Sequence, residues 1–167
     1  MIIYNAKVYT MEGPCLENGY VHIRDGRIAG VGPMPAPAAP NEETLDAQGG
    51  ILLPGFVDAH THMGMWEDGL GFEGDDGNED TDPSTPQLRA MDAINPLDRC
   101  FAEAREAGVT TVVTGPGSAN PIGGQLCAVK TYGRRVEEMV LRAPVAMKMA
   151  LGENPKTTYH GKNQAPV

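Results

Sequence analysis

The strongest constraint on the fold is an uninterrupted run of β-branched residues, Val109–Thr114 (VTTVVT). Because the run has no polar alternation, it predicts a strand that is buried on both faces. Before it, Asn95-Pro96 predicts a helix that continues to about Ala107, with Asn95 as the N-cap and Pro96 in the first helical position. Gly108 is well placed to end that helix. Strands that alternate with helices in this way predict βα units and a parallel sheet.

The same alternation continues on both sides of this strand. Phe56–Ala59 is a short apolar run after a Pro-Gly turn, and Gln125–Tyr132 and Pro144–Leu151 are further predicted strands. Between the last two, Arg134–Arg142 has an ambiguous pattern that we interpret as a short helix. We therefore expect an α/β domain over residues 55–167.

The first 54 residues have a different pattern, typical of a small antiparallel β unit. Ile2–Thr10 and Tyr20–Val31 are rich in β-branched and aromatic residues, and Asp25-Gly26 divides the second run. Asp-Gly between two apolar arms predicts a tight hairpin, because both central residues need a positive φ. The proline-rich Pro33–Pro40 predicts an extended loop, and Leu45–Leu53 predicts a further strand.

The charge distribution excludes some classes of partner. The net charge is -9, whereas nucleic-acid binding requires a basic face. Eight acidic residues and no Lys or Arg lie between Glu67 and Asp82, so the rest of the chain is nearly neutral. We expect this acidic segment to form a solvated lid. No apolar run is long enough to span a membrane and no leader peptide is evident, so we expect a cytoplasmic protein.

The acidic segment also has a partial match to a calcium-binding loop. Asp76, Asn78 and Asp80 occupy the first, third and fifth positions of an EF-hand pattern. The sixth position is Thr81 instead of Gly, and the twelfth is Gln87 instead of Glu. These mismatches favour the lid over calcium binding.

His60-Thr61-His62 is the main candidate for chemistry. In a strand, side chains two residues apart share a face, so His60 and His62 project together with Asp58 one step deeper. Two imidazoles in this arrangement can bind one divalent cation, and a neighbouring carboxylate can orient a ligand by accepting its second N–H. A His-x-His pair alone is weak evidence, but its position at the end of a predicted strand is where (β/α) barrels carry their active sites.

The segment Leu52–His62 (LLPGFVDAHTH) resembles the signature of the metal-dependent amidohydrolase superfamily. The resemblance implies a β-sandwich portion over 1–54, followed by the first units of a (β/α)8 barrel over 55–167. It also implies that His60 and His62 bind a divalent transition metal, with zinc as the expected ion. Such enzymes hydrolyse carbon–nitrogen bonds of amides, imides or amidines, with a metal-generated nucleophile and an aspartate as general base. The motifs AVKTYG and MALGENPK resemble imidazolonepropionase-like members.

The resemblance implies a third metal ligand from a later strand end. Glu153 is our first choice, because it lies just past a predicted strand and needs no modification. Lys148 is the alternative, either carboxylated as a ligand or ion-paired within the barrel, since an unpaired buried charge is costly.

The chain is short for the implied fold. A (β/α)8 barrel needs roughly 200 to 250 residues, and 112 follow Gly55, which is room for three or four βα units. The remaining metal ligands and the general base are expected outside this sequence. We therefore expect an N-terminal portion whose exposed sheet edges bind a complementary C-terminal chain or a second copy. The alternatives are a noncatalytic binding or scaffold fragment and a nucleobase-type deaminase of the same superfamily; the sequence leaves the small-molecule substrate open.

Overall fold

A computed structural model of the protein describes residues 1–164. The chain forms two compact units, Met1–Pro54 and Gly55–Val167. None of the helices in the described part is both long enough and apolar enough to cross a membrane.

The first unit is a five-stranded sheet in the order β3-β2-β1-β4, with the short β5 also paired to β1. The strands are β1 (Ile2–Val8), β2 (Leu16–Arg24), β3 (Arg27–Pro33), β4 (Thr44–Asp46) and β5 (Ile51–Leu52). The first three are antiparallel neighbours, whereas β4 and β5 run parallel to β1. The single strand predicted at 45–53 is divided into β4 and β5. The division arises because Gln48 and Gly49 turn the chain, with φ values of 52° and 81°. Ala6, Val8 and Val21 form the small core.

The hairpin predicted at Asp25-Gly26 is confirmed. The two residues lie between β2 and β3 with φ values of 52° and 70°. Positive φ at both central positions is the geometry of the turn that matches the twist of a tight hairpin.

The second unit is a four-stranded sheet in the order β6-β7-β8-β9. Its strands are β6 (Phe56–Thr61), β7 (Val109–Thr114), β8 (Ile122–Lys130) and β9 (Val140–Met149), and its helices are α1 (Arg99–Glu106), α2 (Val136–Met139) and α3 (Glu153–His160). The core contains Met65, Ile94, Phe101, Val112 and Val129, together with Ala90, Cys127 and Met139.

The prediction of a parallel sheet is correct only for β6 and β7, which are joined through α1. β8 is antiparallel to both of its neighbours, so β9 again runs in the direction of β6 and β7. The reason is the length of the connections, which are seven residues between β7 and β8 and nine between β8 and β9. A parallel crossover needs a dozen or more residues, so these connections can only reverse the chain. The described fold is thus mixed α/β, with one complete β–α–β unit.

The helix predicted with Asn95 as its N-cap begins three residues later than expected. Asp98 is the N-cap, and its side chain accepts a hydrogen bond from the Cys100 N–H. Asn95 instead accepts from the Leu97 N–H at 3.0 Å and closes the preceding turn. Gly108, with a φ of 86°, ends the helix as predicted.

α3 was not predicted from the sequence. The helix begins at Glu153, tolerates Pro155 within its first turn, and buries Tyr159 completely. After it, the Lys162 ammonium contacts the Asp80 carboxylate at 2.7 Å. The sequence of residues 159–167, YHGKNQAPV, predicts a loop, and residues 165–167 of that segment lie outside the described residues.

Candidate metal centre

The two histidines of the triplet lie together at the C-terminal end of β6. The ring centroids of His60 and His62 are 5.4 Å apart with an interplanar angle of 73°. β6 pairs in parallel with β7, with Thr61 opposite Thr114, so both strands end at the same level. The structure thus places the histidine pair at the strand ends of the β–α–β unit.

The His62 ring is oriented by a backbone carbonyl. Its Nδ1 lies 2.7 Å from the Gly115 carbonyl oxygen, directly after β7. A carbonyl oxygen only accepts hydrogen bonds, so Nδ1 carries a proton, and in the neutral ring Nε2 keeps a free lone pair. This is the tautomer that a metal-ligating histidine needs, and such a second bond to a carbonyl is usual for histidine ligands. The donor set is therefore suited to a divalent metal.

Gly115 is not among the residues that the sequence predicts for this site. The residue is buried, and an added Cβ would lie 2.3 Å from Cγ of Leu126. Only glycine lets the backbone approach β8 this closely while its carbonyl faces His62. The sequence signal that could have identified Gly115 is its position directly after β7, the strand that pairs with β6.

Asp58 does not have the expected contact with a histidine ring. Its Oδ1 accepts a hydrogen bond from the backbone N–H of His60 at 3.2 Å. For His62, the Gly115 carbonyl has the orienting role that was predicted for the Asp58 carboxylate.

Lys148 brings a charged side chain to the His60 ring. Its Nζ lies 3.5 Å from Nε2 of His60. The two residues belong to β9 and β6, the opposite edges of the sheet. Three spacings of about 4.8 Å would hold these strands roughly 14 Å apart in a flat sheet. Because side chains stand roughly perpendicular to a sheet, the contact between them indicates that the sheet curves.

Glu153 is not brought to the histidines. It is the exposed first residue of α3 and lines a separate cavity of about 480 Å³ with Asn78, Ser118 and Thr157. Within residues 1–164 no three His, Cys, Asp or Glu side chains are grouped closely enough to hold a metal ion. The ligand role of Glu153 stays a prediction.

The acidic segment, Glu67–Asp82, is partly folded and its charges are partly paired. Asp68 contacts the Arg99 guanidinium at 2.6 Å and Asp80 contacts Lys162. Hydrogen bonds from Thr81 hold the pKa of the Glu79 carboxyl below its ordinary value. The Asn78 side-chain oxygen accepts from the Ala119 N–H at 3.2 Å. Two of the three residues in the partial EF-hand pattern, Asn78 and Asp80, therefore already have partners within the protein.

Two thiols in the second unit, Cys100 and Cys127, have raised pKa values and stay protonated at neutral pH. Burial raises the pKa of Cys100 to about 12, and the neighbouring Asp98 adds to the effect. Burial likewise raises the pKa of Cys127 to about 11. Neither residue is a source of thiolate for chemistry at this site.

Comparison with known proteins identifies relatives for this arrangement. No protein-family model matches the chain. Its structure is similar to that of an amidohydrolase from Thermotoga maritima MSB8, with a TM-score of 0.91 and 41% identity over 99% of this chain. Its sequence is 37% identical over 147 residues, 80% of this chain, to the amidohydrolase tasK of Hapsidospora irregularis. It is 41% identical over 76 residues, 38% of this chain, to an imidazolonepropionase of Thermoanaerobacter pseudethanolicus.

These matches confirm the family predicted from the sequence. The chain belongs to the amidohydrolase superfamily. Other relatives carry the names of deaminases. The chain spans 42% of the Thermotoga protein, 15% of tasK and 18% of the imidazolonepropionase.

Proposed function

We propose that the chain carries part of the active site of a metal-dependent hydrolase. The substrates would be small cyclic amides, imides or amidines, cleaved at carbon–nitrogen bonds other than peptide bonds. The observation that carries this proposal is the His62 tautomer: the Gly115 carbonyl fixes the proton on Nδ1 and leaves Nε2 free beside His60. The names of the relatives support the reaction class.

His60 and His62 would hold the metal, with zinc as the expected ion. Lys148 is the better supported third ligand, because its Nζ lies 3.5 Å from the His60 ring whereas Glu153 lines a different cavity. Carboxylation of Lys148 would convert the amine into an oxygen ligand and remove its positive charge from beside the metal. A bound metal would make a nucleophile available from water near neutral pH and polarise the scissile group.

The rest of the site would come from further barrel strands, including the general base. The curvature of the sheet supports this proposal, as does β9 followed by α3 in the manner of a βα unit. The edge strands leave apolar side chains uncovered: Phe56 and Val57 on β6 are 55% and 65% exposed, and Met149 on β9 is 60% exposed. A complementary C-terminal chain would cover these residues, and a second copy is the alternative.

A deaminase of the same superfamily is the second candidate. The observation in its favour is that several relatives are named as deaminases of adenosine derivatives or adenine. Hydrolysis at an amidine carbon needs the same metal ligands, so His60, His62 and Lys148 would keep their roles. Products of the chain assayed together with a complementary chain separate the two. Opening a cyclic amide or imide keeps the nitrogen in the product, whereas a deaminase releases it as ammonia.

The test of the metal site is a titration of the purified 167-residue chain with Zn²⁺ and Co²⁺. We expect the variants His60→Ala and His62→Ala to bind each ion at least about tenfold more weakly. His160→Ala is the matched control, because this histidine is exposed at the end of α3 and should leave the affinity unchanged. Equal metal affinity in all four proteins would contradict the proposal and favour a noncatalytic scaffold.

A further inference from the structure

Trp66 connects the acidic segment to His62. Its indole meets the His62 ring edge to face, with 5.0 Å between the centroids and an interplanar angle of 78°. The same indole packs against Gly77, where an added Cβ would lie 2.0 Å from Cζ2 of Trp66. Gly77 is thus a position at which the absence of a side chain makes room for the indole.

Backbone hydrogen bonds hold Gly77 in this place. The N–H of Asp76 donates to the Met65 carbonyl at 2.9 Å, and the Gly77 carbonyl accepts from the Gly117 N–H at 2.8 Å. Trp66 and Asp75 also form an antiparallel bridge. Gly117 lies two residues after Gly115, whose carbonyl accepts the hydrogen bond from His62 Nδ1. The indole is therefore confined between the acidic segment and the histidine ring.

We propose that Trp66 is a positioning residue for the metal site, and that packing against Gly77 keeps its indole in place. Trp66 would hold the His62 ring with Nδ1 on the Gly115 carbonyl and Nε2 directed away from it. Trp66 is 36% exposed, so its contact with His62 is not a consequence of burial in the core. The inference rests on the proposed function, because the orientation of His62 matters there for metal binding.

The first experiment compares Trp66→Phe with Trp66→Leu. The ¹⁵N NMR signals of the His62 ring report the Nδ1–H tautomer in metal-free protein, and the signals are assigned by their loss in His62→Ala. We expect Trp66→Leu to mix the two tautomers and to weaken Co²⁺ binding about tenfold. Trp66→Phe retains an aromatic edge and should stay within about twofold of the wild type in Co²⁺ affinity.

The second experiment tests the contact with Gly77. We expect Gly77→Ala to displace the indole and to reproduce the effects of Trp66→Leu on both readouts. Adding Trp66→Phe should restore both, because a phenyl ring lacks the part of the indole that meets the new Cβ. Gly161→Ala is the matched control: it lies in the same unit, has no heavy atom within 4 Å of the added Cβ, and has a φ of -81°.

The outcomes separate this inference from the proposed function. If the wild type fails to bind Co²⁺ while Trp66→Leu still mixes the His62 tautomers, the metal site is refuted and the positioning role stands. If the wild type binds Co²⁺ through His62 but Trp66→Leu and Gly77→Ala leave both the NMR signals and the affinity unchanged, the positioning role is refuted.

Discussion

Gly115→Ala is the sharpest perturbation of the candidate metal centre that leaves every proposed ligand in place. Its Cβ would lie 2.3 Å from Cγ of Leu126, more than 1 Å short of the 3.4 Å at which ordinary contact begins. Leu126 is buried in β8 and cannot simply move aside. If the backbone yields instead, a shift of about 1 Å takes the 2.7 Å bond to His62 beyond hydrogen-bonding distance.

Two effects of known size follow. Overpacking at a buried site costs about 1–3 kcal/mol of the free energy of unfolding. Loss of the partner that orients a histidine ligand weakens metal binding about 10- to 100-fold. We therefore expect Gly115→Ala to have a lower thermal midpoint and a Co²⁺ affinity weakened by that factor, both measured on the purified chain.

Leu126→Ala supplies the matched control and the means of refutation. Alone, it should lower stability by about 2–5 kcal/mol through the cavity it creates, without changing Co²⁺ affinity. In combination with Gly115→Ala it removes the clash, so the affinity should return toward that of the wild type. If the double variant binds Co²⁺ as weakly as Gly115→Ala, or if Gly115→Ala binds it normally, the role assigned to the carbonyl is wrong.

Three further predictions concern other contacts of the structure. Lys148→Met should weaken Co²⁺ binding in bicarbonate buffer about tenfold, whereas Glu153→Gln should not; the reverse result would restore Glu153 as the third ligand. Arg24, His22 and the N-terminal amine hold the pKa of Glu42 at about 2, below its ordinary 4.5. Because the folded-state pKa is lowered, the stabilisation is complete above pH 4.5 and is lost as the pH falls toward 2. The difference in thermal midpoint between wild type and Glu42→Gln should disappear over that range, and a difference independent of pH would contradict this assignment. Tyr159→Phe leaves the buried side-chain oxygen of Asn120 without its donor and should cost about 1–3 kcal/mol on denaturant unfolding, whereas an unchanged midpoint would contradict a buried network.

Features encoded by a few neighbouring residues were predictable from the sequence. Asp25-Gly26 formed the expected hairpin, Gly108 ended its helix, and Val109–Thr114 is a strand with the predicted bounds. Each depends on local φ preferences or on the polarity of one segment, and a single sequence contains that information. The histidine pair is of the same kind, because the spacing of two residues in a strand places His60 and His62 side by side.

Features that depend on how segments meet were not predictable in the same way. The pattern of β8 indicates a strand equally well in either direction, and only the seven-residue connection from β7 excludes a parallel arrangement. The start of α1 was misplaced because Asn95 and Asp98 are both good N-cap residues, and the turn that Asn95 closes is a competing use of the same side chain. α3 was missed because its stability derives from the burial of Tyr159, a tertiary effect.

The same distinction explains why the triplet alone was weak evidence for a metal site. A histidine binds metal only as the correct tautomer, and the atom that sets this tautomer in His62 belongs to Gly115, 53 residues away. Parallel pairing of β6 with β7 brings the two together, since Thr61 opposite Thr114 places each following residue at the same strand end. The metal-binding capacity proposed for His60 and His62 is therefore a property of the β–α–β unit. It should weaken about 10- to 100-fold when Gly115 is altered, even though the His-x-His motif is intact.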